Sequence, residues 1–169
     1  MVREEFRIEG LEPVLRTLNS LPKELVSKRG GPVRTALQKA AKMVQLEEQR
    51  RLQAIIDRDN ANGEPTESTG LLKQNIVVKR GRLGGGEKGE LYSVKVRRKA
   101  YPAGKGARVT TPQVARLLEY GTEKRPPMPF IRPAFEATKN KVVPLFVAEL
   151  DKRLAGIVRK LHRQNGGKS

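Results

Sequence analysis

Apolar and polar positions alternate along this chain in two periods. Phe6 and Ile8, with Val2 in phase, alternate with polar residues, which predicts a short strand ended by Gly10. Leu11, Val14, Leu15 and Leu18 then share one helical face, and Asn19-Ser20-Leu21-Pro22 closes that segment. Gly30-Gly31 breaks the chain, and Pro32, at the favoured first helical position, opens a long helix that runs to Ile56. Its stripe is Val33, Ala36, Leu37, Ala40, Ala41 and Val44, resuming at Leu52, Ile55 and Ile56. Glu47 and Glu48 interrupt it. Two readings of that gap stand level: a helix whose middle runs out past the body of the domain, or one that reaches a neighbouring subunit.

Residues Asp57 to Ser68 lack any period and predict an exposed, mobile loop. Gly70 to Arg80 enters a sheet, with β-branched Ile76, Val77 and Val78 suited to a strand interior. Tyr92, Val94 and Val96 alternate with Ser93, Lys95 and Arg97, giving one buried and one basic face. The glycine-rich run Gly81 to Gly89 between them predicts a flexible hairpin tip, and a second basic loop spans Lys99 to Thr110. Both loops are expected to be poorly ordered in an isolated subunit. A short helix follows, with Thr111 as N-cap, Pro112 at its first position and Gly121 just past its end.

The last helix is expected from Pro133 to about Arg163, with Val143, Phe146, Val147, Leu150, Leu154, Ile157, Val158 and Leu161 as its apolar stripe. Pro144 inside it removes one hydrogen bond and predicts a kink. The fold class is therefore α+β: a small antiparallel sheet packed by a long helix and a C-terminal helix, with long basic loops. One domain is expected over residues 1–163, with residues 164–169 a disordered tail.

The densest constraint lies between Val114 and Glu136. Four prolines, Pro126, Pro127, Pro129 and Pro133, fix φ and bias their predecessors towards extended backbone. Such a segment loses little entropy on docking and suits a rigid connector or contact arm. Its order, Glu119-Tyr120-Gly121-Thr122, a short basic gap, then Pro129-Phe130-Ile131-Arg132-Pro133-Ala134-Phe135-Glu136, resembles the neck or tail-completion proteins of long-tailed bacteriophages and prophages. Thr69-Gly70-Leu71-Leu72-Lys73-Gln74-Asn75-Ile76 is similar to that family's Thr-Gly-x-Leu-x-x-Ser-Ile element, with Asn75 where Ser is commoner. The resemblance spans residues 3–155, order and spacing intact.

The resemblance implies a structural virion protein that joins the head connector to the tail tube. It implies assembly in the bacterial host cytoplasm into a ring, commonly a hexamer where the tail is six-fold, placed in the virion neck. Partners are other copies of the chain, head-connector proteins and tail-tube or tail-terminator proteins. A ring needs heterologous contacts, in which one patch meets a different patch next door. Candidate interface residues are Glu119, Tyr120, Gly121, Thr122, Arg125, Met128, Pro129, Phe130 and Arg132.

Charge changes this picture. The chain has 35 Lys plus Arg against 18 Asp plus Glu, net +17. Residues 1–70 nearly balance, whereas residues 71–110 carry 11 cations against 2 anions. Such a field attracts nucleic acid or acidic protein surfaces and says nothing of fold. Lys79, Arg80, Arg82, Lys95, Arg97 and Arg98 are the candidates, either for docking onto acidic neck proteins or for facing packaged DNA. Protein docking is favoured, because packaged DNA must slide through a neck. A basic nucleic-acid-binding module is the alternative function. Against it stand the missing RNP aromatics, Gly-x-x-Gly clamp and zinc ligands, and the scarcity of aromatics (four Phe, three Tyr, no Trp) for stacking bases.

Candidate chemistry is sparse. With no cysteine, disulfides, thiolate catalysis and cysteine metal sites are excluded. The one histidine, His162, sits in a basic stretch far in sequence from any acidic cluster. Gly167-Lys168-Ser169 ends like a phosphate loop, but His162 stands in place of its first glycine. Neither an enzyme nor a bound metal or cofactor is expected. The first residues carry no secretory signal and no apolar run is long enough for a membrane span, so a soluble protein made in a reducing compartment is expected.

Overall fold

The computed structural model describes residues 31–61, 69–82, 89–102 and 109–166. The expected N-terminal strand and helix, the hairpin tip at 83–88, the middle of the basic loop at 103–108, the polar run 62–68, residues 167–169 and the His162 side chain lie outside them.

The described chain is a helix-rich α+β protein. Its elements are α1 (Pro32–Ala61), α2 (Leu71–Gln74), β1 (Ile76–Gly81), β2 (Leu91–Val96), α3 (Thr111–Tyr120) and α4 (Ile131–Gly166). β1 and β2 pair antiparallel, with Ile76 opposite Val96, Val78 opposite Val94 and Arg80 opposite Tyr92. Two compact units are distinguishable among the described residues: one within 41–138, and one formed by 31–40 with 139–166. In the second unit Ala36 and Ala40 are buried with Phe146 and Leu150, flanked by Val33, Leu37, Val143, Val147 and Leu154. Both apolar stripes read from the sequence thus meet.

In residues 41–138 the core is Leu52, Leu72, Ile76, Ala115 and Phe130, with Ile55, Ile56, Val94, Val96, Val114, Leu118 and Ile131 against it. The two-stranded sheet packs here against the long helices. Lys95 and Arg97 are exposed, and Val94 and Val96 are half-buried, so the strand's facing is as its alternation implies.

Several boundaries differ from the expected ones. α1 continues five residues past Ile56, and Asp57 to Ala61 are helical rather than loop. Asp59, buried on that last turn, lies 3.6 Å from Arg58. The approach to the sheet is a turn of helix, not extended chain. Gly70 adopts φ +68°, and the Asn75 side-chain amide closes the turn by donating to Leu71 O at 2.8 Å. The α3 N-cap is Thr110, one residue earlier than expected. Thr110 and Gln113 form a reciprocal capping box. Thr111 is fully buried instead, where its hydroxyl accepts the Lys99 N–H at 3.0 Å and donates to Arg97 O. α4 begins at Ile131, two residues before Pro133, and it runs through Pro144 to Gly166. Residues 164–166 are therefore helix rather than tail, since each added residue of an established helix gains a hydrogen bond.

The middle of α1 does not run out past the body: one face of it is buried, while Leu46 on another is 53% exposed. Gln45 and Glu48 are buried at 7% and 6% exposure, and the Gln45 amide donates to Ile76 O. Gln49 likewise donates to Lys73 O at 3.0 Å. The polar gap in the stripe is where the helix meets backbone carbonyls of the turn entering β1. A hydrogen-bonding side chain satisfies these carbonyls where an aliphatic one would strand them.

Candidate functional site

Two surfaces carry the residues singled out in the sequence, and the first is the connector from α3 to α4. α3 ends at Gly121, whose φ is +76° and whose N–H donates to Leu117 O at 2.8 Å. A Cβ added there would lie 2.8 Å from Pro127 N and 2.9 Å from Arg125 O, so only glycine fits this reversal. The chain then makes a tight turn in which Thr122 and Arg125 exchange backbone hydrogen bonds of 2.9 and 3.3 Å. The Thr122 hydroxyl also accepts the Arg125 N–H at 3.0 Å. Between Pro127 and Pro129, Met128 N donates to Leu118 O at 2.8 Å.

Glu119 organises the start of α4. It is 6% exposed, and its carboxylate accepts the N–H groups of Phe130 and Ile131 at 3.0 Å and of Arg132 at 3.1 Å. These are the first, otherwise unpaired donors of α4. Glu119 therefore caps a helix that begins about a dozen residues later, and its charge meets the positive end of the helix dipole. Phe130 is fully buried in the core beside it. The motif Glu-x-Gly followed by Pro-Phe-Ile-Arg-Pro thus encodes one local structure: cap, reversal, rigid spacer, anchor, helix start.

Glu119 has a buried carboxyl neighbour. Burial, and then the Glu119 charge, push the Glu48 carboxyl up to about 7. Its sequence neighbour Glu47 is the reverse case. Hydrogen bonding from the Arg50 guanidinium, aided by Arg51, holds that carboxyl down at about 2.

Of the nine candidate interface residues, Glu119 and Phe130 are consequently inside the fold. Gly121 is half-buried, serving the turn, and so is Met128, whose sulfur accepts from Arg58 Nη2 at 2.7 Å. Tyr120, Thr122, Arg125, Pro129 and Arg132 are exposed. The Arg132 guanidinium sits over the Tyr120 ring at 4.8 Å from its centroid and 3.7 Å from Glu119 Oε1. Leu117, one helical turn before Tyr120, is 49% exposed and joins them, while Tyr120 itself is 63% exposed. Leu117 was overlooked in the sequence, yet the pair Leu117-Leu118 on a short helix signals that only one can face inwards. Gln45 carries no signal of its own in the sequence, although it and Glu48 fall in phase with Leu52 and Ile55.

The second surface is the hairpin, where the register divides the basic candidates. Arg80 pairs with Tyr92, on the face that carries Ile76, Val78, Val94 and Val96. Its guanidinium donates twice to the Glu90 carboxylate, at 2.7 and 2.6 Å. Lys79 pairs with Ser93 and Lys95 with Val77, on the opposite, outward face. Arg97, whose N–H extends the ladder to Asn75 O at 2.7 Å, falls in phase with Lys95. Arg82 and Arg98 are exposed beyond opposite ends of the paired region. Lys79, Lys95 and Arg97 are brought together, whereas Arg80 is turned away and neutralised.

Among the described residues no group of three or more His, Asp or Glu side chains could hold a metal ion. No described helix is long and apolar enough to cross a membrane. The fold and the two surfaces define a helix-rich α+β protein with a rigid aromatic–arginine edge and a basic hairpin. Comparison with family models, with curated proteins and with solved structures finds no match to this chain.

Proposed function

We propose that this chain is a structural virion component of a tailed phage or prophage, a neck or tail-completion protein that works by protein–protein contact and not by catalysis. The support is the resemblance of residues 69–76 and 119–136 to that family, together with what those residues do. The carrying observation is that the resembling segment builds one rigid edge. Glu119 caps α4, Gly121 reverses the chain and Phe130 anchors it. The outcome is Tyr120, Arg132 and Leu117 held in the open. Tyrosine and arginine dominate binding energy at protein interfaces, and a pre-set backbone spares the entropy of ordering them.

The proposed partners are further copies of the chain in a ring, with head-connector and tail proteins above and below. Light scattering and negative-stain imaging of the purified protein, after nuclease treatment in high salt, test this. Homogeneous rings that survive salt, and that Tyr120→Ala with Arg132→Ala disperses into folded subunits, are the expected result. A particle that exists only as salt-labile nucleoprotein overturns it.

A further inference from the structure

The outward face of the β1–β2 hairpin is, we infer, a contact surface for the phosphate backbone of duplex nucleic acid. The inference stands independently of the assembly role. Strand pairing places Lys79, Ser93 and Lys95 on that face, with Arg97 in phase one step beyond. All three cations are exposed, and none makes an ion pair with a described residue. The outward positions of both strands hold Val77, Lys79, Gly81, Leu91, Ser93, Lys95 and Arg97, with no acidic residue among them. On the opposite face the same hairpin pairs Arg80 with Glu90. Among the described residues, the positive charge of this outward face is thus left uncompensated.

Geometry and composition select the partner. Alternate residues on a strand are about 6.8 Å apart and neighbouring strands about 4.8 Å, so the cations form a short two-dimensional array. Lysine, arginine and serine are the side chains that contact phosphate oxygens. The core of a protein interface, by contrast, is depleted in lysine and enriched in aromatics. This face has no aromatic residue; Tyr92 lies on the other side with Arg80. A stacking platform for single strands is therefore absent from it. It also has no Asn or Gln, the bidentate partners of adenine, and its cations lie on a sheet face where they meet phosphate oxygens first.

The test is fluorescence anisotropy of the full chain with a random-sequence DNA duplex over a salt series. Each phosphate contact contributes about 0.9 to the slope of log K against log salt, so Lys79→Thr, Lys95→Thr and Arg97→Thr together should lower it by about 2.7. Threonine suits an exposed strand position, and circular dichroism melts check the fold. Should the triple variant misfold, Lys95→Thr alone should still lower the slope by about 0.9. A control removes equal charge from exposed residues of α4, by Lys141→Gln, Lys152→Gln and Arg159→Gln, and should leave the slope unchanged. Equal slopes for hairpin variant and parent overturn the inference. So does a control that falls as far as the hairpin variant, since net charge alone would then be responsible. Loss of polyglutamate binding with duplex binding intact also overturns it, and assigns the face to an acidic protein.

Discussion

Glu48→Gln should make the protein more stable in alkaline solution and no different in acid. Folding buries the Glu48 carboxyl to 6% exposure beside the Glu119 charge, and its pKa rises from 4.5 to about 7. The sign comes from proton binding. Between those two values the folded protein holds a proton that the unfolded chain has released, so stability falls as pH rises through that window. The carboxyl costs nothing below 4.5, where it is neutral in both states, and its full penalty applies above 7. At about 1.4 kcal/mol per unit the penalty is about 3 kcal/mol as an upper figure, trimmed towards about 2 by remaining solvent.

Glutamine keeps the shape and never ionises. With no tryptophan in the chain, urea unfolding is followed by far-UV circular dichroism. At pH 8.5 the variant should gain about 2 kcal/mol over the parent, and at pH 4.5 the two should agree within about 0.5 kcal/mol. Equal stabilities at both pH values would mean that Glu48 is not desolvated in the folded state. A variant weaker at pH 8.5 would mean that the ionised carboxylate has a partner worth more than its burial costs.

Glu119→Ala leaves three amides at the start of α4 without their acceptor and should cost about 2 kcal/mol or more in the same unfolding assay; a cost under about 0.5 kcal/mol would refute the capping role. Gly121→Ala places a Cβ against Pro127 N and Arg125 O at positive φ, and should lower the thermal midpoint well beyond the effect of a surface alanine. Val94→Asp puts a carboxylate against the Ile76–Phe130 core and should cost about 3 kcal/mol; a parent-like melt would reverse the facing of β2.

Short-range chemistry carried much of this fold in the sequence. Pro32 and Pro112 open helices because a first-turn proline lacks only an N–H that would be unpaired anyway. Gly121 closes one because it alone tolerates the reversal. Alternation along Tyr92 to Arg97 gave the facing of β2, since a strand's side chains have a period of two. Each of these signals acts within a few residues. The two apolar stripes, Val33 to Ala40 and Val143 to Leu154, were equally plain, because helical burial repeats every three or four positions.

Tertiary structure decided the rest, wherever a polar group's partner is distant in sequence. Glu119 reads as an exposed helix-end acid until α4 brings three amides onto it. Glu47 and Glu48 read as a break in a stripe until the fold buries Glu48 and brings the Ile76 carbonyl, 31 residues on, to accept from neighbouring Gln45. Arg80 reads like Lys79 until strand register sends them to opposite faces and Glu90 takes one of them. Apolar burial is non-directional and follows local periodicity, whereas a hydrogen bond or an ion pair needs a particular atom at a particular place. Only the folded chain supplies that place.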